Sequence, residues 1–203
     1  MESASRVTAL VGSYRKGGVV DRLVDEVLAS ARDAGAMTTK IYLIDRHIEF
    51  CTNCRTCTQE EGTAPGACVL EDDLRAILDE IRSSDGIVLA SPMNFGTVTA
   101  VTKRFIERLL CTAYWPWGRP APRARDSRRD KKVVLVASSA APAILSRLTT
   151  GMIGLMKTAA RLMGGRVIGV VFAGLSAQRR HQPLCPRAVR KARRLGRRLV
   201  KNQ

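Results

Sequence analysis

Four of the six cysteines in this 203-residue chain are spaced for joint work: Cys51-x2-Cys54-x2-Cys57-x10-Cys68. Thiolates three residues apart can turn inward from a tight loop onto one metal centre. Three in series with a fourth nearby match the ligand count of a [4Fe–4S] cluster. Zinc draws more naturally on two separated Cys-x2-Cys knuckles, and free or redox-active thiols in a loop are a third reading; the spacing leaves all three open. Cys111 and Cys185 stand alone and read as packing residues.

Two other loops carry chemistry of a different kind. Gly12-Ser13-Tyr14-Arg15-Lys16-Gly17-Gly18-Val19-Val20 leads from a strand-like run into a helix-like one. A helix start offers N–H groups and a partial positive charge, the glycines allow close backbone approach, and Arg15 and Lys16 add full charges, so the loop suits an anion. It is neither GxGxxG nor a Walker A loop, which requires Gly-Lys-Ser/Thr. The second loop is Ser91-Pro92-Met93-Asn94-Phe95-Gly96-Thr97, where Pro92 sets the chain direction and Gly96 permits a tight turn. Met93, Asn94 and Phe95 between them offer apolar surface and one amide, enough to cover a flat heteroaromatic ring and bond its edge. The only histidines, His47 and His181, sit beside no Ser or Cys nucleophile pattern, so a hydrolase triad has no support; His47 reads as a surface residue.

The elements that must position these loops follow from periodicity. Strands are predicted at Arg6 to Val11, Lys40 to Leu43, Ile87 to Ala90, Val133 to Ala137 and Arg166 to Ala173. Helices are predicted at Val19 to Ala34, Asp72 to Arg82, Thr97 to Cys111, Ile144 to Met163 with an interruption near Gly151, and Pro186 to Val200. Alternating strands and helices imply an α/β fold, a doubly wound five-stranded parallel sheet with helices on both faces, whose commonest strand order is 2-1-3-4-5. Such a sheet binds its ligand at the carboxyl ends of strands 1 and 3, where the two loops lie. The chain reads as one domain over residues 1–203. Prolines, Gly118 and charges make residues 113–131 an exposed excursion holding both tryptophans, Trp115 and Trp117. The last helix has an apolar stripe of Val189, Ala192, Leu195 and Leu199.

Composition narrows the function classes. The net charge is +16, yet residues 1–118 hold 13 Lys/Arg against 16 Asp/Glu, and residues 119–203 hold 21 against 2. The basic segment 179–203 has ten Lys/Arg and no acid. Aromatic residues make up only 4%, which argues against base stacking on an RNA-binding sheet or single-strand platform. The polar start Met1-Glu2-Ser3 is no secretion signal, and the apolar runs are too short to span a membrane. A cytoplasmic protein is expected, with its cysteines reduced rather than in disulfides.

Together, GSYRKGG after strand 1, SPMNFG after strand 3 and the helix Thr97 to Arg108 behind it resemble the flavodoxin-like NADPH-dependent FMN reductases. The cysteine loop and the acidic run Glu71-Asp72-Asp73 make the iron–sulfur flavoprotein branch the closer match. The resemblance implies FMN across the strand ends, its phosphate at Ser13, Arg15, Lys16, Gly17, Gly18, Val19 and Val20. Its ring would lie against Pro92, Met93, Asn94, Phe95 and Gly96, with Ser138 and Ser139 in the loop closing the third side. Tyr14 replaces the family's usual Pro, and Val19 and Val20 replace polar residues, so backbone N–H groups are left to hold the phosphate. The implied activity is NAD(P)H-dependent FMN oxidoreduction toward a quinone, free flavin or other small acceptor, optionally through a [4Fe–4S] cluster on Cys51, Cys54, Cys57 and Cys68. No catalytic acid or base is demanded. A homodimer and an acidic redox partner such as ferredoxin are expected. The competing reading is a non-enzymatic protein using its basic C-terminal region on nucleic acid, acidic lipid or an acidic protein.

Overall fold

The computed structural model describes residues 4–200, apart from the side chains of residues 147–149; the last three residues of the basic segment and the polar Met1-Glu2-Ser3 lie outside the described residues. Its central sheet contains β1 (Arg6–Val11), β2 (Met37–Tyr42), β3 (Gly86–Asn94), β4 (Lys131–Ser138) and β5 (Gly165–Ala173) in the order β2-β1-β3-β4-β5. All four neighbouring pairs are parallel. The expected order and parallel pairing are therefore met.

Parallel strands are covered on both faces, which is why they read as unbroken apolar runs. Successive residues feed opposite layers. Leu10, Ile87, Leu89, Val133 and Leu135 pack with Phe105, Leu109 and Met156 on one face. Ala9, Val11, Val88, Ala90, Val134 and Val136 pack with Leu23, Val27, Leu195 and Leu199 on the other. The first layer is covered by α2 (Leu74–Ser83), α3 (Ala100–Arg108) and α5 (Met152–Leu162), the second by α1 (Val19–Asp33) and α6 (Pro186–Leu199). Gly196 allows α6 to lie close on α1, since a Cβ there would collide with the Val27 carbonyl.

The interruption expected near Gly151 parts two helices, α4 (Ala143–Thr149) and α5, at Thr150 and Gly151. Several other boundaries differ from the sequence reading for local reasons. The predicted helix from Thr97 starts at Ala100, because Thr97–Val98 first returns along β3 and Thr99 caps the helix by accepting from the Thr102 N–H. Residues Leu109–Thr112 tighten into a 3₁₀ turn. Within the predicted excursion, Ala113–Tyr114 pairs antiparallel with Arg123–Ala124, and the strip folds back onto the cysteine loop. Cys185, expected in packing, is exposed at the N-cap of α6. Among the described residues no helix is long and apolar enough to cross a membrane.

Candidate functional site

The loops after β1 and β3 meet over one small buried network. The Gly12 N–H donates to the Ala90 carbonyl at 2.8 Å, tying the two strand ends together. The Gly12 carbonyl accepts from Thr99 Oγ1 at 2.5 Å and Thr102 Oγ1 at 3.3 Å, while Ser91 Oγ accepts from the Thr99 N–H at 3.1 Å. Ser91, Thr99 and Thr102 are fully buried. Glycine is required at 12, since a Cβ there would run into the Thr102 hydroxyl. These threonines were missed as site residues, though a Thr just ahead of a helix-like run is a capping signal that points to Thr99.

Past Gly12 the chain turns on Ser13, whose buried Oγ accepts from the Arg15 N–H at 3.1 Å and donates to the Arg15 carbonyl at 3.2 Å. Gly17 holds a left-handed φ of 73° and Gly18 is the N-cap of α1, with no side-chain cap bond. The first helical bond runs from the Arg22 N–H to the Gly18 carbonyl, so the N–H groups of Val19, Val20 and Asp21 lack intrahelical acceptors. Val20 is buried and Val19 packs beside it in the core under α1. Those two residues can offer a ligand only their backbone.

The cations of this loop are turned elsewhere. Arg15 Nη2 donates to the Arg180 carbonyl at 2.5 Å, and Lys16 Nζ meets Asp45 at 2.6 Å. Asp21, nearly fully buried, accepts from the Gly17 N–H at 2.6 Å and from the Tyr42 hydroxyl at 3.2 Å, and Lys40 stands 2.5 Å from its other oxygen. Burial opposes the charge on Lys40, but its bonds to Asp21 and Asp25 outweigh that and raise its pKa. Tyr14 reaches across to α3, its hydroxyl accepting from the Val101 N–H at 3.2 Å.

The second loop is a continuation of β3 rather than an open turn. Met93 and Asn94 pair with Val98 and Thr97, and Phe95 (φ 48°) and Gly96 (φ 78°) form the two-residue turn between them. Two positive φ values are what a tight I′ hairpin requires. The Phe95 side chain is fully exposed, Met93 rests half-buried on the core, and Pro92 sits opposite Ser138 of β4. Thr150 Oγ1 donates to the Gly96 carbonyl, so the break between α4 and α5 is pinned to this turn. Ser138 and Ser139 are both buried, and Ser139 is spent internally: its N–H donates to the Ala173 carbonyl and its hydroxyl to the Ala141 carbonyl. Residues 12–20, 92–96 and 138–142 thus lie at the carboxyl ends of neighbouring strands.

The cysteine loop follows β2. Asn53 and Arg55 take left-handed conformations, φ 55° and 61°, bending the Cys51–Cys57 stretch. Cys57 is buried, Cys51 and Cys68 are half-buried, and Cys54 is exposed. Burial first, then the neighbouring Cys68, Cys51 and Cys54, pushes the Cys57 thiol up to about 11, so the four share one neighbourhood. Buried Cys111 stands beside Cys57 and Cys68 and is pushed to about 12, mainly by desolvation. Hydrogen bonds from Thr56 lower the Cys54 pKa. Among the described residues no three His, Cys, Asp or Glu side chains stand in a ready single-ion site. Arg108 Nη2 approaches Cys68 Sγ at 3.5 Å while its guanidinium pairs with Asp72, both side chains only 1% exposed. His47, as expected, is exposed, beside Glu49 at 2.9 Å.

Known proteins resemble this chain in sequence and in fold. An iron–sulfur flavoprotein of Archaeoglobus fulgidus is 32% identical over 111 residues, 55% of this chain and 48% of that protein. One of Methanocaldococcus jannaschii is 35% identical over 51% of each chain. The chain thus spans about half the length of the curated relatives it matches. In fold it is similar to an FMN-dependent NADH-azoreductase from Bacillus anthracis in complex with FMN (TM-score 0.73, 12% identity, 97% and 100% of the two chains). It is also similar to an NAD(P)H:quinone oxidoreductase from Methanothermobacter marburgensis (TM-score 0.69, 18% identity, 97% and 99% coverage). The sequence profile of the NADPH-dependent FMN reductases matches residues 5–178, and the chain belongs to that family.

Proposed function

We propose that the chain is an FMN-dependent NAD(P)H oxidoreductase that passes electrons to a quinone, a free flavin or another small acceptor. The observation that carries this is the uncapped start of α1, joined to the ring loop through the Gly12–Thr99–Thr102 network, in a chain of this family. FMN, when bound, accepts hydride from the nicotinamide and releases electrons singly or in pairs. The chain's own part is binding and orientation. N–H groups at the start of α1 take the phosphate within Ser13 to Val20; Pro92 to Gly96 lies against the ring, with Phe95 as an exposed aromatic wall. The backbone of Ser138 to Pro142 forms the third side. Buried Ser91, Thr99 and Thr102 fix the distance between the phosphate and ring loops.

A [4Fe–4S] cluster on Cys51, Cys54, Cys57 and Cys68 fits the donor set: four thiols in one neighbourhood with a guanidinium already at Cys68 Sγ. Bound there, the cluster would store single electrons drawn from FMN. An acidic redox protein such as ferredoxin suits α6, whose exposed Arg187, Arg190, Arg194, Arg197 and Arg198 face solvent. Reduced thiols suit a cytoplasmic setting, and exposed Phe95 and Ile144 suit a homodimer.

An absorbance spectrum with iron and sulfide assays tests the whole reading. A flavin spectrum bleached by NAD(P)H is expected, with a broad iron–sulfur shoulder and equal iron and sulfide. A colourless protein that stays apo in excess FMN overturns the central claim, and a flavin spectrum without iron overturns the cluster alone.

A further inference from the structure

Arg55 occupies an unusual position between Cys54 and Cys57. Its backbone is left-handed, φ 61°, and its guanidinium carbon lies 3.7 Å from the ring centre of Trp115 and 4.1 Å from that of Trp117. Nη2 donates to the carbonyls of Trp115 at 2.6 Å and Pro116 at 3.3 Å. Its Nε is buried without a hydrogen-bond partner.

The same strip, residues 113–125, grips the cysteine loop elsewhere. The Trp115 N–H donates to the Thr58 carbonyl at 2.9 Å, and the Thr58 hydroxyl to the Trp115 carbonyl at 3.0 Å. Gln59 Oε1 accepts from the Trp117 N–H at 3.0 Å. Arg125 Nη2 donates to the Cys57 carbonyl at 3.0 Å. A two-pair hairpin does not hold its shape alone, so this strip and the cysteine loop order each other. Arg55 is the one side chain of the loop inserted between both indoles.

We propose that Arg55, clamped between Trp115 and Trp117, is the positioning residue of the cysteine loop: it keeps Cys57 buried among the other thiols, and it does so without any metal.

The chain has only two tryptophans, so intrinsic emission reports the clamp directly. The test compares the full chain with Arg55→Gln and Arg55→Lys, folding being checked by circular dichroism. In metal-free, reduced protein, Arg55→Gln is expected to shift tryptophan emission to longer wavelength and to raise iodoacetamide labelling of Cys57, read by peptide mass, at least tenfold. Arg55→Lys, which keeps the charge and loses the planar fork, should fall between. Labelling within twofold of wild type in folded Arg55→Gln, with unshifted emission, overturns the positioning role.

Discussion

The strand-end loops and the cysteine loop both hold irregular backbone in a set shape, and they do so by opposite means. At residues 12–20 and 91–102 the work is done by glycines and small hydroxyls: Ser91, Thr99 and Thr102 bond the backbone of Thr99 and Gly12, Ser13 bonds that of Arg15, and the cations point away. Around residues 51–68 it is done by arginines reaching across the chain: Arg55 to Trp115, Arg108 to Asp72 and Cys68, Arg125 to Cys57. The difference lies in what each region can give a ligand. Small hydroxyls consumed internally leave backbone N–H groups pointing outward, which suits a phosphate. Arginines anchored on carbonyls, indoles and a carboxylate fix the backbone of the cysteine loop, and one of them, Arg108, sets charge at the Cys68 sulfur.

The comparison breaks most visibly at the buried pair. Asp72→Ala leaves the Arg108 charge buried without its carboxylate, and such losses cost about 3–5 kcal/mol. At ~2–4 °C per kcal/mol for a chain of this size, a fall of about 10 °C in Tm is expected by calorimetry. Arg108→Met combined with Asp72→Leu should recover most of it, because no charge is then stranded. The pH dependence follows in sign. Burial opposes ionisation of Asp72, but Arg108 and the Glu49 and Leu74 N–H groups outweigh it and hold its pKa below the usual carboxylate range. Its contribution is therefore full above about pH 4, the unfolded value, and is lost as pH falls through the lower folded value. Tm should drop less between pH 5 and pH 2 in Asp72→Asn than in wild type; equal drops would mean that the carboxylate is not held this way.

A smaller effect is expected from the other region. Gly12→Ala drives a methyl into the Thr102 hydroxyl and should cost about 1–3 kcal/mol, as overpacking does. Because the clash lies between the phosphate and ring loops, FMN affinity should fall at least tenfold, measured by quenching of flavin fluorescence. Gly12→Ala with Thr102→Ala removes the hydroxyl and should restore part of both.

The turns of the first region could be read from the sequence because their determinants are local, whereas the Gly12–Thr99 bond, across 87 positions, could not. Gly17 and Gly18 before an amphipathic run mark a helix start, and Pro92 to Gly96 marks a turn at a strand end. The parallel sheet followed from alternation, and its order was the commonest one for five strands. The hairpin at Phe95 and Gly96 was not legible, because Phe is a poor candidate for positive φ and only pairing of Met93–Asn94 with Thr97–Val98 forces it. The second region was legible only as cysteine spacing. Arg125 meets Cys57 across 68 positions and Arg55 meets Trp115 across 60, and no local pattern encodes such pairings. The two tryptophans in one loop were the available signal, since a pair of neighbouring indoles invites a cation.

Lys16 separates the two means of holding a ligand most finely, although its expected effect is the smallest. Composition casts Arg15 and Lys16 as phosphate ligands, yet Lys16 is spent on Asp45 and Arg15 on the Arg180 carbonyl. An exposed pair of this kind is worth about 0–1 kcal/mol. If backbone N–H groups carry the phosphate, Lys16→Ala should weaken FMN binding by less than about threefold and leave its salt dependence unchanged, while riboflavin, lacking the phosphate, binds far more weakly than FMN to both proteins. A loss of tenfold or more, with a flatter salt dependence, would mean that the phosphate draws Lys16 off Asp45. The loop after β1 would then hold its ligand as the cysteine loop holds its shape, through a long cation, and the contrast between the two regions would fail.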